Sequence, residues 1–342
     1  METNKIIGKH TVRLPSLPVI KGFASVVGKK EGQGPLRGSF DLVNEDTTFG
    51  EKTWEKAEAK MQSEAFRIAS EKSGVSPLQI ERMFAGDLLN QCVGSSLASR
   101  ESGIPYFGLY GACSTMAEGL SLAAMAIDGG FAQHTAAITS SHFCSAERQY
   151  RMPLEYGGQR TPTAQWTCTA SGCVILGTQG NGPVIQSITT GQIVDAGICD
   201  ANNMGAAMAP AAYSTLSNLF TETSTSPRDY DLIVTGDLGS VGAQILRDLF
   251  SGEGVELGEV YNDCGILMFS PSQDVHAGGS GCGCSAAVLC GHILEGMMNG
   301  RWKKTVFAGT GALHSPTSVA QGESIPGICH AVVICSRKDA SL

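Results

Sequence analysis

Apolar residues recur at spacings of three and four from Trp54 through Ala57, Met61, Ala65 and Ile68, with Thr53 ahead of the run and Gly74 just behind it. The spacing places one apolar stripe on a helix, Thr53 offers an N-cap oxygen and Gly74 a left-handed stop, so a helix with one buried face is predicted. Ser76-Pro77 repeats the start signal for a short helix reaching Ile80, followed by a strand over 82–85 that ends in Gly86-Asp87-Leu88. The segment 115–127 differs in character: Met116, Ala117, Leu120, Leu122, Ala123, Ala124, Met125 and Ala126 are apolar nearly all round. Such a helix must be buried on most sides, and its small side chains imply close approach to its neighbours. Gly129-Gly130 stops it ahead of a strand over 135–140. The first fifty residues read as short strands broken by Gly and Pro, with 28–38 as an exposed basic loop.

The same order of events returns later in the chain. A strand over 231–235 ends in Gly236-Asp237-Leu238, and a second small-residue helix over roughly 284–298 stops at Asn299-Gly300 before a strand over 305–309. Setting Gly130 against Gly300 places Cys113 opposite Gly283. The repetition predicts two copies of one α/β unit, 1–180 and 181–342, the first carrying Cys113. The stretch 181–230, rich in Gly, Ala, Ser and Thr, gives no clear element.

Composition narrows the function classes. Charged residues are only 16% of 342 residues and glycines number 43, which fits a tightly packed layered fold. With 24 basic against 32 acidic residues the net charge is −8, which argues against non-specific attraction to nucleic acid or anionic lipid, so any bound anion must be held by a local arrangement. Twelve cysteines sit within apolar stretches with no C-x-x-C pair and no zinc spacing, so they read as reduced core thiols and no metal is expected. The N-terminus lacks the continuous apolar run of a secretory signal and no stretch reaches the length of a bilayer span, so an intracellular chain is expected.

Cys113 carries the sharpest chemical signal. In Leu109-Tyr110-Gly111-Ala112-Cys113-Ser114-Thr115 it stands between a strand and the start of the buried helix, the position of a nucleophile elbow. Unpaired backbone N–H groups and the positive helix end there are expected to lower the thiol pKa. A small cysteine in a tight turn is also an ordinary core residue.

The elbow Gly111-Ala112-Cys113-Ser114, together with Gly86-Asp87-Leu88-Leu89-Asn90-Gln91, Gly103-Ile104-Pro105 and Ala137-Ile138-Thr139-Ser140-Ser141, resembles the thiolase and ketoacyl synthase superfamily. The resemblance implies a duplicated thiolase-like α/β fold, five-layered αβαβα, with two mixed sheets around buried helices. Further motifs, among them the run 22–32, Thr53-Trp54-Glu55-Lys56-Ala57-Glu58 and Tyr261-Asn262-Asp263-Cys264-Gly265, are similar to a sporulation branch of that superfamily over essentially the whole chain. That branch is linked to moving dipicolinic acid, pyridine-2,6-dicarboxylate, into the developing spore. The resemblance thus implies a non-catalytic carrier, a homodimer, spore membrane channel subunits as partners, and a peripheral place at the forespore membrane.

Departures from catalytic relatives support that expectation. The run Gly279-Ser280-Gly281-Cys282-Gly283-Cys284-Ser285 matches the superfamily's second-half histidine motif with Ser280 where the histidine would stand, and Ala308-Gly309-Thr310-Gly311 lacks the second acid/base cysteine. A condensing enzyme needs a base and an oxyanion site beside its nucleophile. Cys113 therefore reads as a vestigial nucleophile. The alternative is an active condensing enzyme of the ketoacyl synthase III type, with acyltransferase chemistry on Cys113 and His314 or His276 as base; a third reading is a purely structural subunit. For dipicolinic acid, free or as its calcium chelate, the expected ligand-binding set is Cys113, Ser114 and Thr115 at the helix start, Arg148, Arg151 and Arg160 as carboxylate forks, and His142, Ser280 and His314 as lining groups. No cofactor is expected.

Overall fold

The computed structural model describes residues 5–150 and 160–340. The first half contains β1 Thr11–Arg13, β2 Val19–Gly28, β3 Leu42–Asn44, α1 Trp54–Ser73, β4 Arg82–Gly86, α2 Val93–Ser99, β5 Tyr106–Leu109, α3 Thr115–Asp128, β6 His134–Ser141, α4 Phe143–Tyr150, β7 Trp166–Thr167 and β8 Ala170–Gly177. The second contains β9 Val184–Thr189, α5 Met204–Thr223, β10 Leu232–Thr235, α6 Gly239–Gly252, β11 Tyr261–Asp263, α7 Cys264–Met268 and β12 Gly279–Ser280. Its last elements are α8 Cys282–Val288, a π-turn Leu289–Ile293, α9 Leu294–Met298, β13 Lys304–Ala312, α10 Pro316–Ala320 and β14 Gly327–Cys335.

The two halves share one strand order. The first runs β2-β8-β6-β4-β5 and the second β9-β14-β13-β10-β11, each with its first strand beside its last and parallel strands beyond. The two mixed sheets expected from the sequence are joined edge to edge where Val19 pairs with Val184, so hydrogen bonding runs on from one to the other. The boundary drawn at 180/181 lies in the connection between β8 and β9. Apolar side chains divide into layers: α1 covers the outer face of the first sheet, α5 and α6 the outer face of the second, and α3 with α8 and α9 fills the space between them.

Local signals account for the elements. Thr53 accepts from the Lys56 N–H at 3.3 Å and Gly74 takes φ +67°, so both ends of α1 form as its sequence predicts. Gly283, opposite Cys113 in the repeat, has no space for a side chain: a Cβ would lie 2.1 Å from the Ala170 carbonyl oxygen and 2.6 Å from Ser141 Oγ. On the other side of the interface a Cβ on Gly311 would lie 2.4 Å from the Gly111 carbonyl oxygen. The halves interlock through backbone at both helix starts.

Two sequence expectations change. The loop 28–38 is not simply exposed, because Glu31 and Leu36 are buried, with the Glu31 carboxylate accepting the Thr169 N–H at 3.0 Å. The unassigned stretch 181–230 forms β9 and the long helix α5, whose alanines gave too weak a stripe to read as one face.

Beneath α4 lies a pair of buried carboxylates. Glu58 of α1 accepts from Ser145 Oγ at 2.7 Å and Ser140 Oγ at 3.1 Å, and Asp87 accepts from the Ser95 N–H and hydroxyl, both at 2.7 Å. Burial first, and then the neighbouring Asp87 charge, hold the Glu58 carboxyl well above the usual carboxylate range. An acid raised in the folded state favours folding fully below its unfolded pKa and loses that contribution as pH rises toward its folded value. Glu58→Gln is therefore expected to flatten the decline in urea-unfolding stability from pH 5 to pH 8, and a decline as steep as the parent's would refute this role for Glu58. Gly283→Ala is expected to cost about 2–4 kcal/mol in the same assay, since the added methyl meets backbone that cannot swing away.

Candidate functional site

The sequence Gly111-Ala112-Cys113-Ser114 folds as a single 3₁₀ turn, Ala112–Ser114, that feeds directly into α3. Ala112 takes φ +49°, a left-handed conformation that is strained for a residue with a Cβ and that throws the next side chain off the strand direction. Cys113 consequently lies at the meeting point of the two halves, 6% exposed, against Leu88, Ala146 and Cys282.

Its main polar neighbour comes from the second half. The buried carboxylate of Asp237, two residues beyond β10 in the repeated Gly-Asp-Leu, sits beside the Cys113 thiol. Asp237 also accepts from the Gly281 N–H at 2.8 Å, Thr310 Oγ1 at 2.9 Å and Ser280 Oγ at 3.1 Å. Gln165 Nε2 bridges the Asp237 and Gly279 carbonyl oxygens at 2.7 and 2.8 Å, holding the two segments together.

This arrangement reverses the expected electrostatics of the elbow. Burial pushes the Cys113 thiol well above its ordinary value, and the Asp237 charge adds to the shift. The helix start does not compensate, because the Ser114 N–H is bonded to the Gly111 carbonyl oxygen at 3.0 Å and the Thr115 N–H to Ala112. Cys113 is a protonated thiol at neutral pH. The thiolate expected from its position does not form because burial disfavours the charge, a buried anion sits beside it and the N–H groups of Ser114 and Thr115 are engaged within the turn.

A cavity of about 190 Å³ opens in front of Cys113. Leu88 and Ala112 join Cys113 on one side, and α4 supplies Ala146, Glu147 and Tyr150. The segment ahead of and opening α5 supplies Ala201, Asn202 and Met204, while Thr167, Ser280, Ala312 and His314 complete the wall. Tyr150 donates to the Leu88 carbonyl oxygen at 2.9 Å, shares a 2.6 Å hydrogen bond with Tyr110, and its ring lies 5.2 Å from that of His314. Burial lowers the His314 pKa, so the ring is neutral near pH 7. Among the described residues no three His, Cys, Asp or Glu side chains are grouped to hold a metal ion.

Of the residues singled out in the sequence, Cys113, Ser280 and His314 come together on this wall. Ser114 and Thr115 are buried with their hydroxyls donated to Gly111 and Ala112 carbonyl oxygens, so they do not line it. His142 bonds the Thr47 carbonyl oxygen through Nε2 at 2.8 Å and lies against Trp54, away from the cavity. Arg148 is ion-paired with Glu55 and faces a different groove. Arg160 donates to the Asp274 carbonyl oxygen at 2.7 Å and lies over Trp166, while Arg151 falls outside the described residues. His276, the other suggested base, bonds the Thr161 carbonyl oxygen at 2.6 Å and Asp274 at 3.2 Å.

Sequence reasoning missed Asp237, Tyr150 and Asn202 as site residues. The repeated Gly-Asp-Leu contained a usable signal for Asp237, because an acid at a strand end in both copies marks a buried hydrogen-bond centre. Tyr150 and Asn202 stood in stretches without a motif.

The Asp237–Cys113 contact has a measurable consequence. Asp237→Asn is expected to lower the Cys113 pKa, since it removes the adjacent charge. The pH profile of iodoacetamide alkylation, followed by mass spectrometry on the Cys113 peptide, reads the shift, and an unmoved profile would contradict the assignment.

Comparison with known proteins fits this geometry. The family model described as stage V sporulation protein AD matches residues 8–335. The chain is 41% identical over 329 residues to stage V sporulation protein AD of Bacillus subtilis (strain 168), which covers 96% of this chain and 97% of that relative. Among solved structures it is similar to 3-oxoacyl-[acyl-carrier-protein] synthase III from Aquifex aeolicus VF5, with a TM-score of 0.56 at 14% identity, covering 93% of this chain and 99% of that one. It is also similar to a Xanthomonas campestris OleA variant with bound lauric acid and lauroyl-CoA, with a TM-score of 0.60 at 13% identity, covering 93% and 99%. At such identities these two establish the fold alone, which is the thiolase-like fold of the ketoacyl synthases. Shared sequence over nearly the full length goes further, and on it the chain belongs to the stage V sporulation protein AD family.

Proposed function

We propose that this sporulation protein binds dipicolinic acid in the cavity before Cys113 and supports its transport into the developing spore without catalysing a reaction. The observation that carries the reading is the coupling of a small cavity to a silent thiol. A dry cavity of about 150 Å³ accommodates benzene, so a space of about 190 Å³ suits one substituted ring rather than a long acyl chain. Tyr150 and His314 offer flat faces to such a ring, and Asn202, Thr167 and Ser280 offer polar groups to its substituents. Cys113 is held as a thiol by burial and by the Asp237 charge, and Ser280 occupies the place of the superfamily histidine, which argues against acyl transfer.

The wider roles follow from the family. The protein acts with spore membrane channel subunits at the forespore membrane, as a peripheral protein, and among the described residues no helix is long and apolar enough to cross a membrane. It works as a homodimer. The exposed edge strand β5, with Phe107 53% exposed, is the surface that pairing with a second copy would cover. The competing reading is a ketoacyl synthase III-type condensing enzyme, favoured by the placement of Cys113 at an elbow facing His314 across one cavity.

Calorimetric titration of dipicolinate, with and without calcium and with pyridine-2-carboxylate as control, tests the proposal. Saturable binding that needs both carboxylates is expected, weakened about tenfold or more by Tyr150→Ala or His314→Ala and unchanged by Arg148→Ala. Absence of binding in both forms overturns ligand recognition by this chain. Acyl transfer to Cys113 from an acyl thioester donor would instead establish the condensing enzyme.

A further inference from the structure

The end of the strands remote from the cavity has a character unlike the rest of this acidic chain. The register His134↔Gly177↔Val19↔Val184↔Cys335↔Lys304 forms one row across both sheets and marks that end. Along β13 it lies eight residues from the cavity wall at Ala312, roughly 26 Å at about 3.3 Å per residue. A groove of about 300 Å³ opens there between the α9–β13 turn, residues 181–183 and the segment after β14.

Cations and apolar side chains converge on it. Lys303, Arg337 and Lys338 line the groove and are exposed, Arg301 lies over the Trp302 ring at 4.3 Å, and Lys21 runs beside Gly177 and Gly180. Arg337 reaches back to the Gly180 carbonyl oxygen, which fixes the post-β14 segment against the β8–β9 connection. Met298, 53% exposed, stands at the tip of the α9–β13 turn, and Phe131, 74% exposed, at the tip of the α3–β6 turn that leads into His134. The carboxylates nearby are engaged. Asp231 accepts the Lys303 and Lys304 N–H groups at 2.7 and 3.0 Å, Asp339 accepts Ser336 Oγ at 2.5 Å, and Asp128 is ion-paired with Lys5.

We infer that this end is a contact face for an anionic lipid surface, with Met298, Phe131 and Trp302 entering the headgroup boundary and the surrounding cations meeting lipid phosphates. Charge complementarity selects the occupant and the orientation. Around the groove Arg301, Lys303, Arg337 and Lys338 outnumber Asp231 and Asp339, so this end can attract an anionic bilayer that the net charge of −8 repels. Large apolar side chains at convex turn tips, ringed by Lys and Arg, match an interfacial anchor better than a cleft for a folded partner. The face differs from docking on channel subunits, and its distance from the cavity leaves ligand entry open while the protein is bound.

Vesicle flotation of the full chain tests this directly. Binding to phosphatidylglycerol-containing vesicles is expected at low salt, with none to pure phosphatidylcholine vesicles and release in high salt. The triple variant Lys303→Glu, Arg337→Glu, Lys338→Glu is expected to lose about a hundredfold in vesicle affinity. Met298→Ser with Phe131→Ser, which leaves the charge unchanged, is expected to weaken binding about tenfold or more; it is the second readout should the charge reversal impair folding. Failure of the parent protein to float with anionic vesicles overturns the inference, as does binding untouched by both variants, and exclusive capture by an acidic protein would reassign the face.

Discussion

The Asp237 carboxylate is the centre on which the site's architecture depends. A carboxylate removed from water costs several kcal/mol unless donors surround it, and here Ser280, Gly281 and Thr310 supply them from β12, the β12–α8 connection and β13, with Cys113 of the opposite half beside it. Its donors come from separate segments of the second half, while Gln165 of the first half holds the Asp237 carbonyl oxygen, so the polar contacts of this one residue tie the two copies of the α/β unit together beside the elbow. The same contact bears on the chemistry, since burial holds the thiol protonated and the neighbouring anion adds to it. One interaction thus joins the halves and quiets the nucleophile.

Glycine makes that contact geometrically accessible. Gly283 and Gly311 each face backbone of the other half at a distance no side chain would tolerate, so the helix starts and strand ends approach until their polar groups share partners. The duplication is accordingly symmetric in topology and asymmetric in chemistry. Asp87 of the first half is satisfied by Leu89 and Ser95 within its own unit, whereas Asp237 reaches across to Cys113. The cavity forms on the side where the asymmetry lies.

The two ends of the molecule then have separate characters. At one end, polar groups that include the Glu147 carboxyl and two aromatic rings enclose a ring-sized space; at the other, cations gather around exposed apolar side chains. The central helices α3 and α9 run from the buried site region toward turns that carry Phe131 and Met298, and this layout follows from burying two small-residue helices between two sheets.

Much of the fold was legible in the chain because its signals are local. Thr53 and Gly74 bound α1, the apolar girth of α3 announced a central helix, and the repeated Gly-Asp-Leu with the Gly129-Gly130 and Asn299-Gly300 stops revealed the duplication. Cys113, Ser280 and His314 were legible as site residues because each stands at the end of a strand or the start of a helix on the side where the halves meet. The tertiary structure decided the rest. Arg148, Arg160 and His142 face partners such as Glu55, Asp274 and Thr47 that are remote in sequence, Tyr150 and Asn202 gain their meaning only from the cavity between the halves, and the state of Cys113 is set by its burial and by Asp237. The physical reason is that caps, stops and amphipathic stripes act within a few residues along the chain. Burial and electrostatics act between neighbours in space, and those the fold alone assigns.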